Sequence, residues 1–153
     1  MSASSPRIGY EAYGTIAPAV RAALTALGKA VDDSGLDKAL TELLKLRASQ
    51  INGCAFCIQY HLHLARKAGV PAVKLDLVAA WAEAGIYSPR ETAALAWTEA
   101  LTVNPGLGAT DALYASVREQ FSETELAFLT AAIANINAWN RIAASLRFAV
   151  SAA

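Results

Sequence analysis

Apolar residues recur along this chain at intervals of three and four, the period of an α-helix, and scarcely anywhere at the interval of two that marks a strand. Val20, Leu24 and Leu27 predict a helix from Ala17 to about Lys29, with Pro18 in its first turn. Leu36, Leu40, Leu43, Leu44 and Ile51 give a stripe to a second helix, from about Leu36 to Gln50, which Asn52-Gly53 breaks. A third helix fits Cys54 to Lys67. Arg66 and Lys67 suit the dipole at its end, Gly69 sits at C′, and Pro71 follows. Pro71 to Glu83 reads as a further helix, ended by Gly85. Ser88 as N-cap, Pro89 at the first helical position and Glu91 as the capping-box partner open the next. That helix carries Leu95, Trp97 and Leu101 and stops before Asn104-Pro105-Gly106. Thr110 or Asp111 starts a helix through Phe121. Ser122 and Glu125 repeat the capping box ahead of a last helix, Glu123 to about Phe148. Gly9 to Gly14 reads as irregular and Asn104 to Gly108 as the longest loop. The expected fold is all-α, six to seven helices in a single domain over residues 1–153.

Charge and composition narrow the partners. Thirteen basic and thirteen acidic residues give a formal net charge of zero, with no basic run for a nucleic acid and no acidic tail. No run of apolar residues is long enough to span a membrane. Met1 to Gly9 is polar, without an apolar stretch of signal-peptide length, so a cytoplasmic protein is expected. Only 17% of residues are charged, against roughly 25% in an average soluble domain, while 55% are apolar. A chain of this size has much surface relative to its core. That balance predicts a homo-oligomer whose subunits cover part of one another.

The chemistry concentrates in Cys54-Ala55-Phe56-Cys57-Ile58-Gln59-Tyr60-His61, which holds both cysteines and one of the two histidines. On a helix turning about 100° per residue, Cys57 lies about 300° and His61 about 340° from Cys54, so the three share a face, with Tyr60 at its edge. His63 points away, toward solvent or an interface. Cys57 and His61 are i,i+4 neighbours, and both cysteines fall in the first turn, where the dipole favours a thiolate. A thiol pair that attacks and then resolves as a disulfide fits this arrangement. Two other readings stay open: buried packing cysteines, and a zinc site in which His61 and Glu42 supply the remaining ligands. Glu42, i,i+4 from Lys38, reads on its own as a surface ion pair. Trp81, Trp97 and Trp139 read as packing anchors. Asn135, Asn137 and Asn140, joined by Arg141, are placed to bond across a helix or subunit interface. Ser49, Gln50 and Asn52 are placed to line a pocket near the thiols. No phosphate loop or H-E-x-x-H helix is present.

The run from Glu42 through Gly53-Cys54-Ala55-Phe56-Cys57 to His61 resembles the core motif of the carboxymuconolactone decarboxylase family. More narrowly, it is similar to the alkylhydroperoxidase D-like branch, with its E-x11-C-x-x-C-x3-H spacing. Phe121 to Leu126 and Ile136 to Ile142 resemble a C-terminal signature of the same branch, and the likeness covers roughly Leu36 to Arg147. The resemblance implies an all-α fold that assembles as dimers, trimers or hexamers. It implies a peroxidase that uses no metal or organic cofactor and takes a hydroperoxide substrate and a thiol or dithiol donor. By that likeness Cys57 attacks peroxide with the help of His61, Cys54 resolves the sulfenic acid, and Glu42 tunes the proton relay. Helix geometry alone leaves open which thiol is first, since Cys54 is nearer the N-terminus. The enzyme that names the branch has a histidine directly before its second motif cysteine, where this chain has Phe56, which carries no proton. A non-peroxidase thiol–disulfide or partner-binding protein is the alternative, together with a decarboxylase-like enzyme. The cysteine pair, which the decarboxylase branch does not need, argues against lactone decarboxylation.

Overall fold

Helix α3 (Lys38–Ile51) is the member on which three of the other long helices rest. Asp37 caps its start, accepting a hydrogen bond from the Ala39 N–H at 3.1 Å. In this computed structural model, which describes residues 5–152, Leu40, Leu43, Leu44, Leu46 and Ala48 are all buried. Leu40 and Leu44 pack with Ala94 and Trp97 of α7 (Pro89–Val103) and with Leu129 and Ile133 of α10 (Glu123–Leu146). Leu43 and Leu46 face the opposite way, toward Ala65 of α4 (Ala55–Lys67), Leu75 of α5 (Ala72–Leu77) and Leu95 of α7. A helix with cores on two sides is enclosed rather than amphipathic. Its polar residues Thr41, Glu42, Lys45 and Ser49 are consequently buried as well.

The described residues are helical or irregular, with no strand. Both predicted capping boxes are present, at Ser88–Glu91 and at Ser122–Glu125. Gly69 takes φ +85° after α4, its N–H bonding to the Arg66 carbonyl and that of Val70 to Ala65, which together close a Schellman end.

Four expectations about elements need correcting. Gly9 to Gly14 is not irregular: α1 runs from Tyr10 to Ile16 ahead of α2 (Pro18–Asp33). Its glycine weakens helix propensity, but Arg21 of α2 donates to the Tyr10 hydroxyl at 3.1 Å and stacks over its ring. The segment Pro71 to Glu83 is not one helix. A 3-10 turn at Val78–Ala80 separates α5 from the short α6 (Trp81–Ala84) and turns Trp81 so that its indole N–H reaches Glu99 at 2.8 Å. Asn104 to Gly108 is not a loop but a helical turn, α8 (Pro105–Gly108), capped by Asn104 and followed by α9 (Asp111–Arg118). Finally, α10 stops at Leu146 because Arg147 adopts φ +57°. That reversal sends the Phe148 N–H to the Ala143 carbonyl and its ring onto the cysteines. Among the described residues no helix is long and apolar enough to cross a membrane.

Leu44 is wholly buried where α3, α7 and α10 meet. Leu44→Ala is expected to destabilise the fold by about 2–5 kcal/mol, read as a lower denaturation midpoint with an unchanged slope in urea.

Candidate functional site

The turn between α3 and α4 delivers the cysteines. Asn52 ends α3, Gly53 takes φ +65°, and Cys54 returns to extended backbone as the N-cap of α4. Gly53 is the residue type this left-handed step favours. Cys54 therefore lies just outside the helix, not in its first turn as expected, and its Sγ accepts the Cys57 N–H at 3.2 Å. The turn is tied down by amides. The Asn52 side chain donates to Asn137 Oδ1 at 3.0 Å and to Asn140 Oδ1 at 2.9 Å, and Asn140 donates to Ser49 Oγ at 3.0 Å. Arg141 supports Asn137 from one turn below, and Asn137 reaches Thr102 on α7. The asparagines thus do bond across helices, within one chain. Asn135 does so separately, donating to the Leu24 carbonyl on α2. Ser49, Gln50 and Asn52 do not line the cavity that Cys57 faces; Ser49 and Asn52 hold the turn.

Cys54 and Cys57 are joined as a disulfide with Cα atoms 5.3 Å apart. Both are buried, with Ala143 and Phe148 against them. Phe148, Phe56 and Tyr10 stack edge-on or tilted over the pair, drawn from the C-terminal segment, α4 and α1 respectively.

Glu42 has no exposed surface at all, which overturns its reading as a surface ion pair. The predicted Lys38 contact does exist, at 3.0 Å to Oε1. Lys45 reaches the same oxygen, also at 3.0 Å. His61 donates its Nδ1–H to Oε2 at 2.7 Å. A histidine tautomer fixed in this way keeps its lone pair on Nε2. Glu42, Cys57 and His61 come together on one cavity of about 290 Å³ between α2, α3, α4 and α10. Cys54 does not face it. Leu24, Leu64, Ile136 and Trp139 form the apolar side, so Trp139 is a wall of the site as well as a packing residue. His63 is exposed on the far face of α4, as the helical angles predict. Lys45 and Tyr10 line the cavity too, and sequence reasoning passed over both. Lys45 had a signal in hand, a lysine three residues after Glu42 on a helix otherwise rich in leucine. Tyr10 had none, since its segment was read as irregular.

The sequence pattern of the carboxymuconolactone decarboxylase family matches residues 18–100, more than half of the chain. The chain belongs to that family. It is 39% identical over 134 residues to the uncharacterized protein YdfG of Bacillus subtilis, covering 88% of this chain and 91% of that one. A shorter stretch of 40 residues is 48% identical to the alkyl hydroperoxide reductase AhpD of Nocardia farcinica, covering 26% of this chain and 22% of the reductase. Among solved structures, a protein of unknown function from Agrobacterium tumefaciens, assigned provisionally to antioxidant defence as an AhpD protein, superposes with a TM-score of 0.88 at 38% identity. That match covers 96% of this chain and all of the other. The all-α fold is therefore that of the AhpD-like members of the family.

Charge at the site follows from burial and its partners. Burial would raise the Glu42 carboxyl, but the hydrogen bond from His61 and the nearby Lys45 ammonium outweigh it and hold the group at about 2. Burial pushes His61 below its ordinary value, and the carboxylate only partly opposes this. Glu42 is thus ionised and His61 neutral at neutral pH. Both groups bind protons more readily in the unfolded chain, so stability falls as acid is added. The loss begins below about pH 6.5, where unfolded histidine takes a proton. It steepens between about pH 4.5 and 2, over which Glu42 contributes about 3 kcal/mol. Thermal melts across this range should show both steps. Glu42→Gln should abolish the lower one and cost about 3–5 kcal/mol at neutral pH, because it strands the buried Lys45. An acid limb unchanged by the substitution would exclude Glu42 as its source.

Proposed function

We propose that this protein is a thiol peroxidase that reduces hydroperoxides at Cys57 and is recycled by a thiol or dithiol donor. One observation carries the reading: Cys57, but not Cys54, faces a cavity that also holds His61, whose Nδ1 is bound to a buried, ionised Glu42. Membership of the family and the likeness to a reductase of alkyl hydroperoxides support it.

In the reduced protein His61 Nε2 takes the Cys57 proton, and Glu42 stabilises the resulting imidazolium. The Cys57 thiolate attacks the terminal oxygen of the hydroperoxide. A sulfur–oxygen bond forms, the oxygen–oxygen bond breaks, and an alcohol leaves. Cys54, held at the N-cap against the Cys57 N–H, then displaces water from the Cys57 sulfenic acid to give the disulfide. The donor dithiol returns both thiols by exchange, itself becoming a disulfide. No metal or organic cofactor enters these steps. The working form is a cytoplasmic homo-oligomer, and exposed apolar side chains such as Val20, Val103 and Leu107 fit that assembly. The second reading, a thiol–disulfide protein that does not act on peroxides, rests on Phe56, an apolar ring at the position where the branch's enzyme has a second histidine.

The pre-reduced protein mixed with tert-butyl hydroperoxide should lose two thiols per chain. Cys57→Ser should consume none. Cys54→Ser should react once and stop as a sulfenic acid, visible as a mass increase of one oxygen. His61→Gln should slow the first step by about 10²–10⁴-fold. A fully reduced wild-type protein inert to hydroperoxides, while still exchanging with dithiols, would select the second reading.

A further inference from the structure

We propose that Lys45 is a catalytic residue of the peroxide cavity, where its ammonium group binds the leaving oxygen of the hydroperoxide and gives it a proton. The proposal rests on the peroxidase reading above and assigns a role that reading leaves empty. Cleavage of the oxygen–oxygen bond by a thiolate expels an alkoxide, a strongly basic leaving group. The imidazolium formed at His61 carries a proton, but His61 shares α4 with Cys57, and the leaving oxygen lies on the side away from that thiol.

Lys45 is only 8% exposed. Its Nζ has a single hydrogen-bond acceptor among the described residues, Glu42 Oε1 at 3.0 Å. An ammonium carries three donors, so two are unspent, and the residue lines the same cavity as Cys57 and His61. The bland account is a counter-ion for Glu42, but that post is already filled. Lys38 sits 3.0 Å from the same oxygen with nearly half of its side chain in solvent, and His61 binds the other oxygen. Burying a second ammonium costs desolvation that a counter-ion at the surface avoids. What burial adds is a strong, fixed donor in a low-dielectric cavity, the property that stabilises charge as it develops.

Position agrees with this role. A thiolate displaces along the oxygen–oxygen axis, so the leaving oxygen lies beyond the attacked one, away from Cys57. Lys45 projects from α3, whereas Cys57 and His61 belong to α4. The Glu42 carboxylate bridges the two sides, one oxygen on Lys45 and the other on His61. The step then balances. Cys57–S⁻ and ROOH give Cys57–SOH and RO⁻, sulfur losing the two electrons that the oxygen–oxygen bond gains. RO⁻ takes a proton from the Lys45 ammonium and leaves as ROH. The imidazolium formed at His61 returns that proton to Lys45 through solvent in the cavity.

The test varies the leaving group. Stopped-flow rate constants of fully reduced protein are measured with tert-butyl hydroperoxide, which expels an alkoxide, and with peracetic acid, which expels acetate and needs no proton. In Lys45→Met the first is expected to fall by about 10²–10³-fold, the cost of losing one such donor, and the second by less than about tenfold. Lys45→Arg keeps the charge and the Glu42 pair but surrenders its proton with difficulty. It too should lose more rate with tert-butyl hydroperoxide than with peracetic acid, and it decides the question if the methionine variant does not fold. Equal losses on both substrates, or no loss, would overturn the proposal while leaving the peroxidase reading intact. Wild-type protein inert to both substrates would remove the peroxidase reading and this proposal with it.

Discussion

A single carboxylate buried under three nitrogen donors is the constraint around which this molecule is arranged. Glu42 is tolerable in the interior only because Lys38, Lys45 and His61 satisfy both of its oxygens. Those donors come from two helices, α3 and α4, so the ion cluster fixes their relative placement as well as its own charge. Once α4 is held there, Cys57 faces the cavity and Cys54 faces the protein. The asymmetry between two chemically identical thiols thus derives from a group that touches neither of them.

The second organising element is the amide network beneath the α3–α4 turn. Asn52, Asn137 and Asn140 satisfy one another across helices, and the turn they anchor contains the backbone step at Gly53 that presents Cys54 as a cap. An asparagine in mid-helix is a weak helix former. Here the propensity deficit is offset by bonds that only the assembled bundle provides. The thiol pair is consequently mounted on a polar lattice and buried under an apolar cover of aromatic rings and Ala143.

Much of this was legible in the residues. Helical spacing located every long helix, the two S-x-x-E boxes marked the starts of α7 and α10, and the angle argument put Cys57 and His61 on one face and His63 on the other. What could not be read was which face of α3 is buried. Local pattern assigns charged residues to solvent, so Glu42 read on its own as a surface ion pair, its place at the site coming only from the family resemblance, and Lys45 went unremarked. A helix enclosed on all sides breaks the rule that polarity reports exposure. The same limit explains Tyr10 and Phe148. Nothing near either residue signals a helix start or a left-handed stop, because both are decided by contacts with partners more than ten residues away, Arg21 for the one and the cysteine cluster for the other.

The left-handed residue Arg147 also bears on how the two ends of the chain are related. By ending α10 there, it leaves the Leu146 carbonyl free to accept the backbone N–H groups of Arg7 and Ile8. It also lets the tail run back to Gln59, which exchanges two hydrogen bonds with Ser151. Residues 7–10 and 148–151 therefore converge on the cover of the same pair of sulfurs. The cover of the disulfide is thus assembled from α1, α4 and the segment after α10, so it forms only once elements far apart in sequence have packed together.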